Sequence, residues 1–390
     1  MSNSPISLSA DLSRLRAEGF ELEIVADHLV VRNIPYVNAA RQLRRGALVS
    51  TLNMAGNITQ KPETHVIMFA GEMPCDKNGA EFIAANDSQR KRIDDDLFID
   101  FTFSRKPTDG YPDYYEKITA YVALFESQAQ AIDPNASART WRVIENKDPD
   151  SPFHYLDSAS SRAGITAASR KLKGKIAILG LGGTGSYTLD LVAKTPVSEI
   201  HIFDEDKYGQ HNTFRSPGAP SIEHLRTVPF KVDHWAGIYS NMHRGIVPHP
   251  FNIDASNVER LRGMDFVFIC ADAGSAKEAI IEKLEEWGIP FADTGMGLEL
   301  VDDVLHGTLA VTTSTPAKRD HVRRRVSLTG DGHENVYAQN IQVADLNALN
   351  AAMAVIRWKK LCGFYADLRH EHFSAYTIEG NALISEERTS

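Results

Sequence analysis

Short apolar runs alternate with amphipathic segments along the second half of the chain. The apolar runs have the length of buried strands and lie at residues 175–179, 199–203, 246–250 and 265–269. The periodic segments predict helices at residues 186–194, 231–241, 275–287 and 340–361. This alternation predicts a mostly parallel sheet with helices on both faces, a Rossmann-like α/β fold. The last predicted helix carries one apolar stripe, formed by Leu346, Leu349, Met353 and Ile356.

The first half of the chain has a different pattern. A short helix is predicted from Leu8 to Gly19, and the segment FELEIVADHLVVRNIPYV alternates apolar and polar residues around a turn, which indicates a β-ribbon. HVIMFAGEMP and LFIDFTFS are further strand candidates, and YPDYYEKITAYVALFESQAQAI has the character of a helix. These elements predict a smaller α+β domain. The polar segment IENKDPDSPFHY marks a boundary, so we expect domains at 1–150 and 151–390.

Composition and charge narrow the class of protein. The chain has 390 residues and a net charge of −9, which argues against nucleic acid as a partner. Its three cysteines lie far apart in the sequence, as in a protein of a reducing compartment. The N-terminal residues lack the pattern of a signal peptide, and no apolar run approaches the roughly 18 residues of a membrane span. We therefore expect a cytoplasmic protein that does not bind membranes.

A glycine-rich turn follows the first predicted strand of the second half. Gly180, Gly182 and Gly185 form a G-x-G-x-x-G motif between that strand and a helix, where backbone N–H groups can bind phosphate. Asp204 ends the next strand and is placed to bind ribose hydroxyls. No lysine follows Gly185, so the motif is not a P-loop. The turn predicts a site for an adenosine nucleotide, which leaves NAD and ATP as candidates.

The residues after this turn extend the motif into a longer pattern. The pattern consists of Gly180, Gly182, Gly183, Gly185 and Ser186, then Asp204 and Asp206, then Asn212 and Arg215, then Lys231, and finally Asp272. With this pattern, residues 155–361 resemble the ThiF/MoeB superfamily of adenylyltransferases, which includes ubiquitin-activating enzymes. The resemblance is to a bacterial member. It implies that the glycines, Ser186, the two nearby aspartates and Asn212 bind ATP.

The chemistry of adenylation accounts for the remaining residue types. A carboxylate is joined to the α-phosphate of ATP and pyrophosphate leaves, so the site must hold concentrated negative charge. Arg215 and Lys231 can neutralise that charge, and Asn212 can add a neutral donor. The resemblance further implies that Asp272 holds Mg²⁺. It also implies a homodimer, in which Arg162 reaches into the partner subunit's site.

The chain departs from the family in two respects. It lacks paired C-x-x-C motifs, so we expect no structural zinc. In the segment VTTSTPAKRD, where thioester-forming relatives often carry a cysteine, Thr315 precedes the proline. Cys270 ends a predicted buried strand and Cys362 follows the last helix, whereas Cys75 lies in a turn-like segment that we expect to be exposed. These positions favour an enzyme that forms no thioester of its own.

The resemblance implies a function for the whole chain. We expect ATP-dependent activation of the C-terminal glycine of a ubiquitin-like or sulfur-carrier protein, followed by transfer to a conjugating partner protein. The N-terminal half resembles an uncharacterised bacterial domain fused to ThiF-like domains. Its segment SRKPTDGYPDYY predicts exposed tyrosines that recruit the carrier or another partner. The alternatives are adenylation of a small-molecule or tRNA-linked carboxylate, an NAD-dependent dehydrogenase, and a non-catalytic nucleotide-binding scaffold.

Overall fold

A computed structural model describes residues 4–81, 85–95, 97–146, 148–155, 157, 166–271, 274–328 and 341–385 of the chain. The chain divides into two compact units. One comprises Met1–Ile144 and Asp157–Thr166, and the other comprises Glu145–Leu156 and Ala167–Ser390. Arg162 and Asp272, both predicted site residues, lie outside the described residues.

The first unit is built on an antiparallel sheet of six strands in the order β1-β2-β3-β6-β10-β7. The strands of this unit are β1 (Glu21–Val25), β2 (His28–Val37), β3 (Leu43–Thr51), β4 (Met54–Ala55), β5 (Ile58–Thr59), β6 (Val66–Ala70), β7 (Ala85–Asp87), β8 (Lys91–Asp94), β9 (Leu97–Ile99) and β10 (Phe101–Ser104). Its helices are α1 (Ser4–Leu8), α2 (Ala10–Ala17) and α3 (Tyr114–Gln130). Helices α2 and α3 supply part of the apolar core that lies against the sheet.

Helix α3 begins at Tyr114 because the Asp113 side chain caps it, accepting the Glu116 N–H at 2.8 Å. This start places Tyr114 on the face that packs into the core, and Tyr111 is buried as well. The Tyr114 hydroxyl donates to the Thr51 carbonyl at 2.9 Å. The prediction of an exposed tyrosine surface in this segment is therefore wrong for both residues.

The second unit contains an eight-stranded sheet in the order β13-β12-β11-β14-β15-β16-β17-β18. Its strands are β11 (Lys175–Leu179), β12 (Glu199–Phe203), β13 (Ile246–His249), β14 (Phe266–Ile269), β15 (Phe291–Val301), β16 (Val304–Ser314), β17 (Phe373–Thr377) and β18 (Ala382–Ser385). Strands β11 to β15 are parallel, and β16, β17 and β18 add an antiparallel extension beside β15.

Helices cover both faces of this sheet. The helices from residue 166 onwards are α4 (Thr166–Ser169), α5 (Gly183–Val192), α6 (Gln210–Thr213), α7 (Ile222–Arg226), α8 (Lys231–Tyr239), α9 (Ser275–Trp287) and α10 (Ala344–Leu361). Alternate residues of β11 enter opposite cores: Ile176 and Ile178 lie with α5, α8 and α10, whereas Ala177 and Leu179 lie with α9. The predicted fold class, a Rossmann-like sheet preceded by a smaller α+β domain, is confirmed.

Helix α10 does not bury the stripe that its sequence suggests. Leu349 and Ile356 are 37% and 46% exposed, and the buried face instead carries Asn347, Asn350 and Ala351. This face packs against α5 and β15. Small and amide side chains suit a close approach between helices, which a row of leucines would prevent. The buried face was therefore not recognisable from apolar spacing alone.

Candidate nucleotide site

The glycine-rich turn joins the end of β11 to the start of α5. Gly180 has φ of +83°, a conformation that favours glycine, and its N–H donates to the Phe203 carbonyl at 2.8 Å. A Cβ on Gly185 would overlap the Gly180 carbonyl oxygen. At Gly182, by contrast, no heavy atom lies within 4 Å of the position that a Cβ would take. Gly182 thus borders open space at the N-terminus of α5, where N–H groups are available to an anion.

Asp204 fastens this turn to the end of β12. Its buried carboxylate accepts the Leu181 N–H at 2.7 Å on Oδ2 and the Asp206 N–H at 2.9 Å on Oδ1. Asp204 therefore shapes the turn through protein contacts of its own. Carboxylate oxygens accept more than one hydrogen bond each, so these contacts leave capacity for ribose hydroxyls.

Lys231 opens α8 beside both aspartates. Its ammonium group lies 2.7 Å from Asp206 Oδ2 and 3.3 Å from Asp204 Oδ2. The Lys231 and Asp204 side chains are only 7% and 6% exposed, whereas that of Asp206 is 67% exposed. A buried ammonium group needs such partners, because an unpaired charge away from water is strongly unfavourable. The structure thus brings these three predicted residues together.

The segment from Asn212 to Arg215 carries donors that lack partners among the described residues. Asn212 Oδ1 accepts the Gly209 N–H at 2.9 Å, which fixes the amide and leaves its buried Nδ2 without an acceptor. Arg215 Nε and Thr213 Oγ1 are also buried without a partner. Buried polar groups are nearly always hydrogen-bonded, so three orphaned groups in four residues call for a ligand rich in acceptors. A polyphosphate has that character. Sequence reasoning missed Thr213.

A buried ion pair lies at the carboxyl end of β14, beside the first residues of β15. Asp293 is beside Ile269 in the sheet register, and its Oδ1 lies 2.5 Å from Lys277 Nζ. Lys277 also donates to the Ala271 carbonyl at 3.3 Å, immediately before Asp272 in sequence. Burial raises the pKa of the Asp293 carboxyl, and Lys277 opposes that rise. Neither residue was predicted, since nothing in the sequence links them.

Several other predicted residues have contacts that limit their roles. The Ser186 hydroxyl is buried and donates to the Gly183 carbonyl at 2.8 Å, so it is used within α5. Thr315 Oγ1 lies 3.2 Å from His372 Nε2. Ser314 pairs with Phe291, the first residue of β15. Thr315 therefore lies towards the N-terminal ends of the parallel strands, whereas the glycine-rich turn lies at their C-terminal ends. Among the described residues, no group of three or more histidine, cysteine or acidic side chains could hold a metal ion.

None of the three thiols is poised for catalysis. Cys75 is buried rather than exposed as predicted, because its N–H donates to the Val37 carbonyl at 2.7 Å and so holds the segment against β2. Its pKa is raised, chiefly by burial. Burial also raises the pKa values of Cys270 and Cys362 to about 11 each. Thiols with such pKa values carry almost no thiolate near neutral pH.

Residues 158–319 match the family model described as "ThiF family". Residues 158–319 are a ThiF-family domain. Residues 10–158 match a model described as "Domain of unknown function (DUF6791)". The resemblance inferred from the sequence is confirmed for the ThiF domain, and the N-terminal part of the chain is a DUF6791 domain.

Solved structures similar to the chain include Escherichia coli MccB with ATP, at 17% identity and a TM-score of 0.43. That match covers 56% of this chain and 65% of MccB, so it spans less than two thirds of the neighbour. The crystal structure of PaaA has 15% identity and a TM-score of 0.44, covering 69% of this chain and 85% of PaaA. At these values the likeness carries no inference about activity. No curated protein matches the chain. Every helix in the described part of the chain is too short or too polar to cross a bilayer.

Proposed function

We propose that the chain is an ATP-dependent adenylyltransferase that activates the C-terminal glycine of a ubiquitin-like or sulfur-carrier protein. In the reaction, a carboxylate oxygen of the glycine attacks the α-phosphorus of ATP and forms the acyl–oxygen–phosphorus bond. The bond from the α-phosphorus to the bridging oxygen breaks, and pyrophosphate leaves with its electron pair. The products are the carrier acyl-adenylate and pyrophosphate, so no redox partner is required.

The observation that carries this proposal is the set of orphaned buried donors beside the open glycine turn. Gly182 leaves room for phosphate at the N-terminus of α5, and Asn212 and Arg215 present donors without partners in the described residues. Lys231 adds a second cation within reach of Asp204 and Asp206. A nicotinamide cofactor has no need of two cations in this place, whereas a triphosphate losing pyrophosphate does. Positioning and charge therefore supply most of the catalysis.

Two assigned roles rest on the ThiF family pattern alone. Asp272 would hold Mg²⁺, whose charge offsets that of the phosphate oxygens. Arg162 would reach the partner subunit's site within a homodimer. The exposed Leu349 and Ile356 on α10 provide an apolar surface of the kind that a second copy covers. The protein would act in the cytoplasm, and the N-terminal domain would recruit the carrier or the conjugating partner.

The thiols support a direct transfer of the activated acyl group. An enzyme that forms a thioester needs a cysteine with appreciable thiolate on an accessible segment. The raised pKa values of Cys75, Cys270 and Cys362 and the burial of Cys75 run against that requirement. We therefore propose that the acyl-adenylate passes to its acceptor without an enzyme thioester.

The test is exchange of radiolabelled pyrophosphate into ATP, with and without purified ubiquitin-like and sulfur-carrier proteins that end in Gly-Gly. Exchange that depends on such a carrier supports the proposal. Exchange driven only by a small or tRNA-linked carboxylate would move the substrate to that class. NADH binding tighter than ATP binding, measured by fluorescence transfer, would indicate a dehydrogenase. ATP binding with no exchange for any carboxylate would indicate a nucleotide-binding scaffold. Carrier variants that lack the terminal glycine are the matched control.

A further inference from the structure

Asn347 is a buried amide that no prediction placed in the site. It lies on α10, is 1% exposed, and faces the start of α5. Its Oδ1 accepts the Thr184 hydroxyl at 3.0 Å, and its Nδ2 donates to the Arg215 carbonyl at 3.3 Å. A carbonyl oxygen can only accept, so the Arg215 contact fixes which end of the amide faces which partner.

The same residue accounts for the second of the two adjacent glycines. A Cβ on Gly183 would overlap the Asn347 amide, whereas Gly182 has open space around it. The absence of a side chain at Gly183 therefore allows Asn347 to approach, whereas the absence of a side chain at Gly182 leaves space for a ligand. The two glycines have separate physical roles.

The two hydrogen bonds join the phosphate helix to Arg215. The Arg215 backbone is held on both sides, because its N–H donates to the Asn212 carbonyl at 3.1 Å and its carbonyl accepts from Asn347. The neighbouring buried residues of α10 include the small apolar Ala351 and Ala354 and a second amide, Asn350, which donates to the Gly295 carbonyl at 3.0 Å. A buried amide is unfavourable unless it is hydrogen-bonded, and both partners of Asn347 belong to the proposed nucleotide site.

We infer that Asn347 is a positioning residue that sets the place of Arg215 relative to the N-terminus of α5. The inference rests on the proposed function. Removing the amide frees the Arg215 carbonyl and the Thr184 hydroxyl while leaving the Arg215 side chain intact. A displacement of about 1 Å at a positioned group can lower a rate on the order of 10²-fold.

The test compares Asn347→Ala and Asn347→Asp in pyrophosphate exchange with a carrier that ends in Gly-Gly. Asn347→Asp is nearly isosteric and keeps the acceptor for Thr184, but it loses the donor to Arg215. We expect both variants to lower kcat by about tenfold or more while KM for ATP changes less than about threefold. Asn241→Ala removes an exposed amide beyond the end of α8, outside the proposed site and dimer surface, and is the matched control that should retain the wild-type rate.

A double-mutant cycle separates positioning from a general structural effect. If Asn347 acts through Arg215, the variant Arg215→Ala, Asn347→Ala should be no slower than Arg215→Ala alone. Multiplicative losses, or a wild-type kcat in Asn347→Asp, would overturn the inference while the proposed function stands. If wild-type protein exchanges nothing, the proposed function fails, and the same cycle is read from stabilisation by MgATP in thermal unfolding. Independent losses of that stabilisation would then overturn the inference.

Discussion

Alanine at Gly182 and alanine at Gly183 should have different consequences, although the residues are adjacent. At Gly183 the new methyl group displaces the Asn347 amide, which loses its bonds to Thr184 and Arg215. Each such bond contributes about 0.5 to 1.5 kcal/mol, and overpacking adds about 1 to 3 kcal/mol. We therefore expect a loss of about 4 kcal/mol in the free energy of unfolding of the second unit. For a unit of this size, Tm should fall by about 8 to 16 °C.

At Gly182 the methyl group meets no protein atom, but φ of −70° with ψ of −148° lies outside the regions that alanine prefers. This backbone strain and the poorer N-cap should together lower stability by about 1 to 3 kcal/mol, less than the loss expected at Gly183. The methyl group instead occupies the space proposed for phosphate. MgATP affinity, measured by calorimetry, should fall by about tenfold or more, which is about 1.4 kcal/mol.

Thermal unfolding and MgATP titration of both single variants test whether Gly182 and Gly183 have separate roles. The double variant Gly183→Ala, Asn347→Gly should regain most of the lost stability, since the overlapping amide is gone. Equal stability losses in the two single variants would refute the assignment of separate roles. Wild-type MgATP affinity in Gly182→Ala would remove the open space from the nucleotide site.

Other expected outcomes concern charge and thiols. Burial lowers the pKa of Lys117 from 10.5 to about 8. Between these two pH values the unfolded chain therefore binds more protons than the folded protein does. The free energy of unfolding should then rise with pH across this range, by about 3 kcal/mol in total. In urea unfolding from pH 7.5 to 9.5, Lys117→Met should flatten this rise, and an unchanged slope would contradict the burial argument. Arg215→Ala should lower the exchange rate on the order of 10²-fold with a smaller effect on ATP affinity, and an unaltered rate would exclude it from the site. The variant in which Cys75, Cys270 and Cys362 are all replaced by alanine should still form acyl-adenylate and support transfer. A thiol-sensitive adduct on a non-reducing gel, abolished by mutating one of these cysteines, would disprove direct transfer.

Local patterns predicted those parts of the fold that neighbouring residues determine. Strand β11 at residues 175–179 and helix α9 at residues 275–287 coincide with their predicted ranges, because apolar runs and helical periodicity are properties of adjacent residues. The Gly180, Asp204 and Lys231 cluster followed from a family pattern. The burial of Cys75 did not, because it depends on a hydrogen bond to Val37 in another strand.

Contacts between residues that are distant in the sequence could not be predicted from local patterns. Asn347 and Thr184 are separated by 163 positions, and Lys277 meets Asp293 only because β14 and β15 are neighbours in the sheet. Each of these side chains is ordinary in its own segment. The partners can be recognised only when the sheet order brings the segments together, because sequence spacing does not specify which residue pairs with a buried amide or a buried charge.

The charges around Lys231 suggest how the site can accept a triphosphate without losing its shape. Asp204 is buried and also holds the glycine turn, so its bond to Lys231 belongs to the framework. Asp206 is mostly exposed, so its carboxylate is readily hydrated when it leaves Lys231, whereas the buried ammonium group needs another anion in exchange. Lys231 can therefore exchange Asp206 for a phosphate oxygen while it keeps Asp204. The site would then gain a cation for the ligand from a pair whose acidic member is exposed, and the buried aspartate would preserve the turn that the ligand needs.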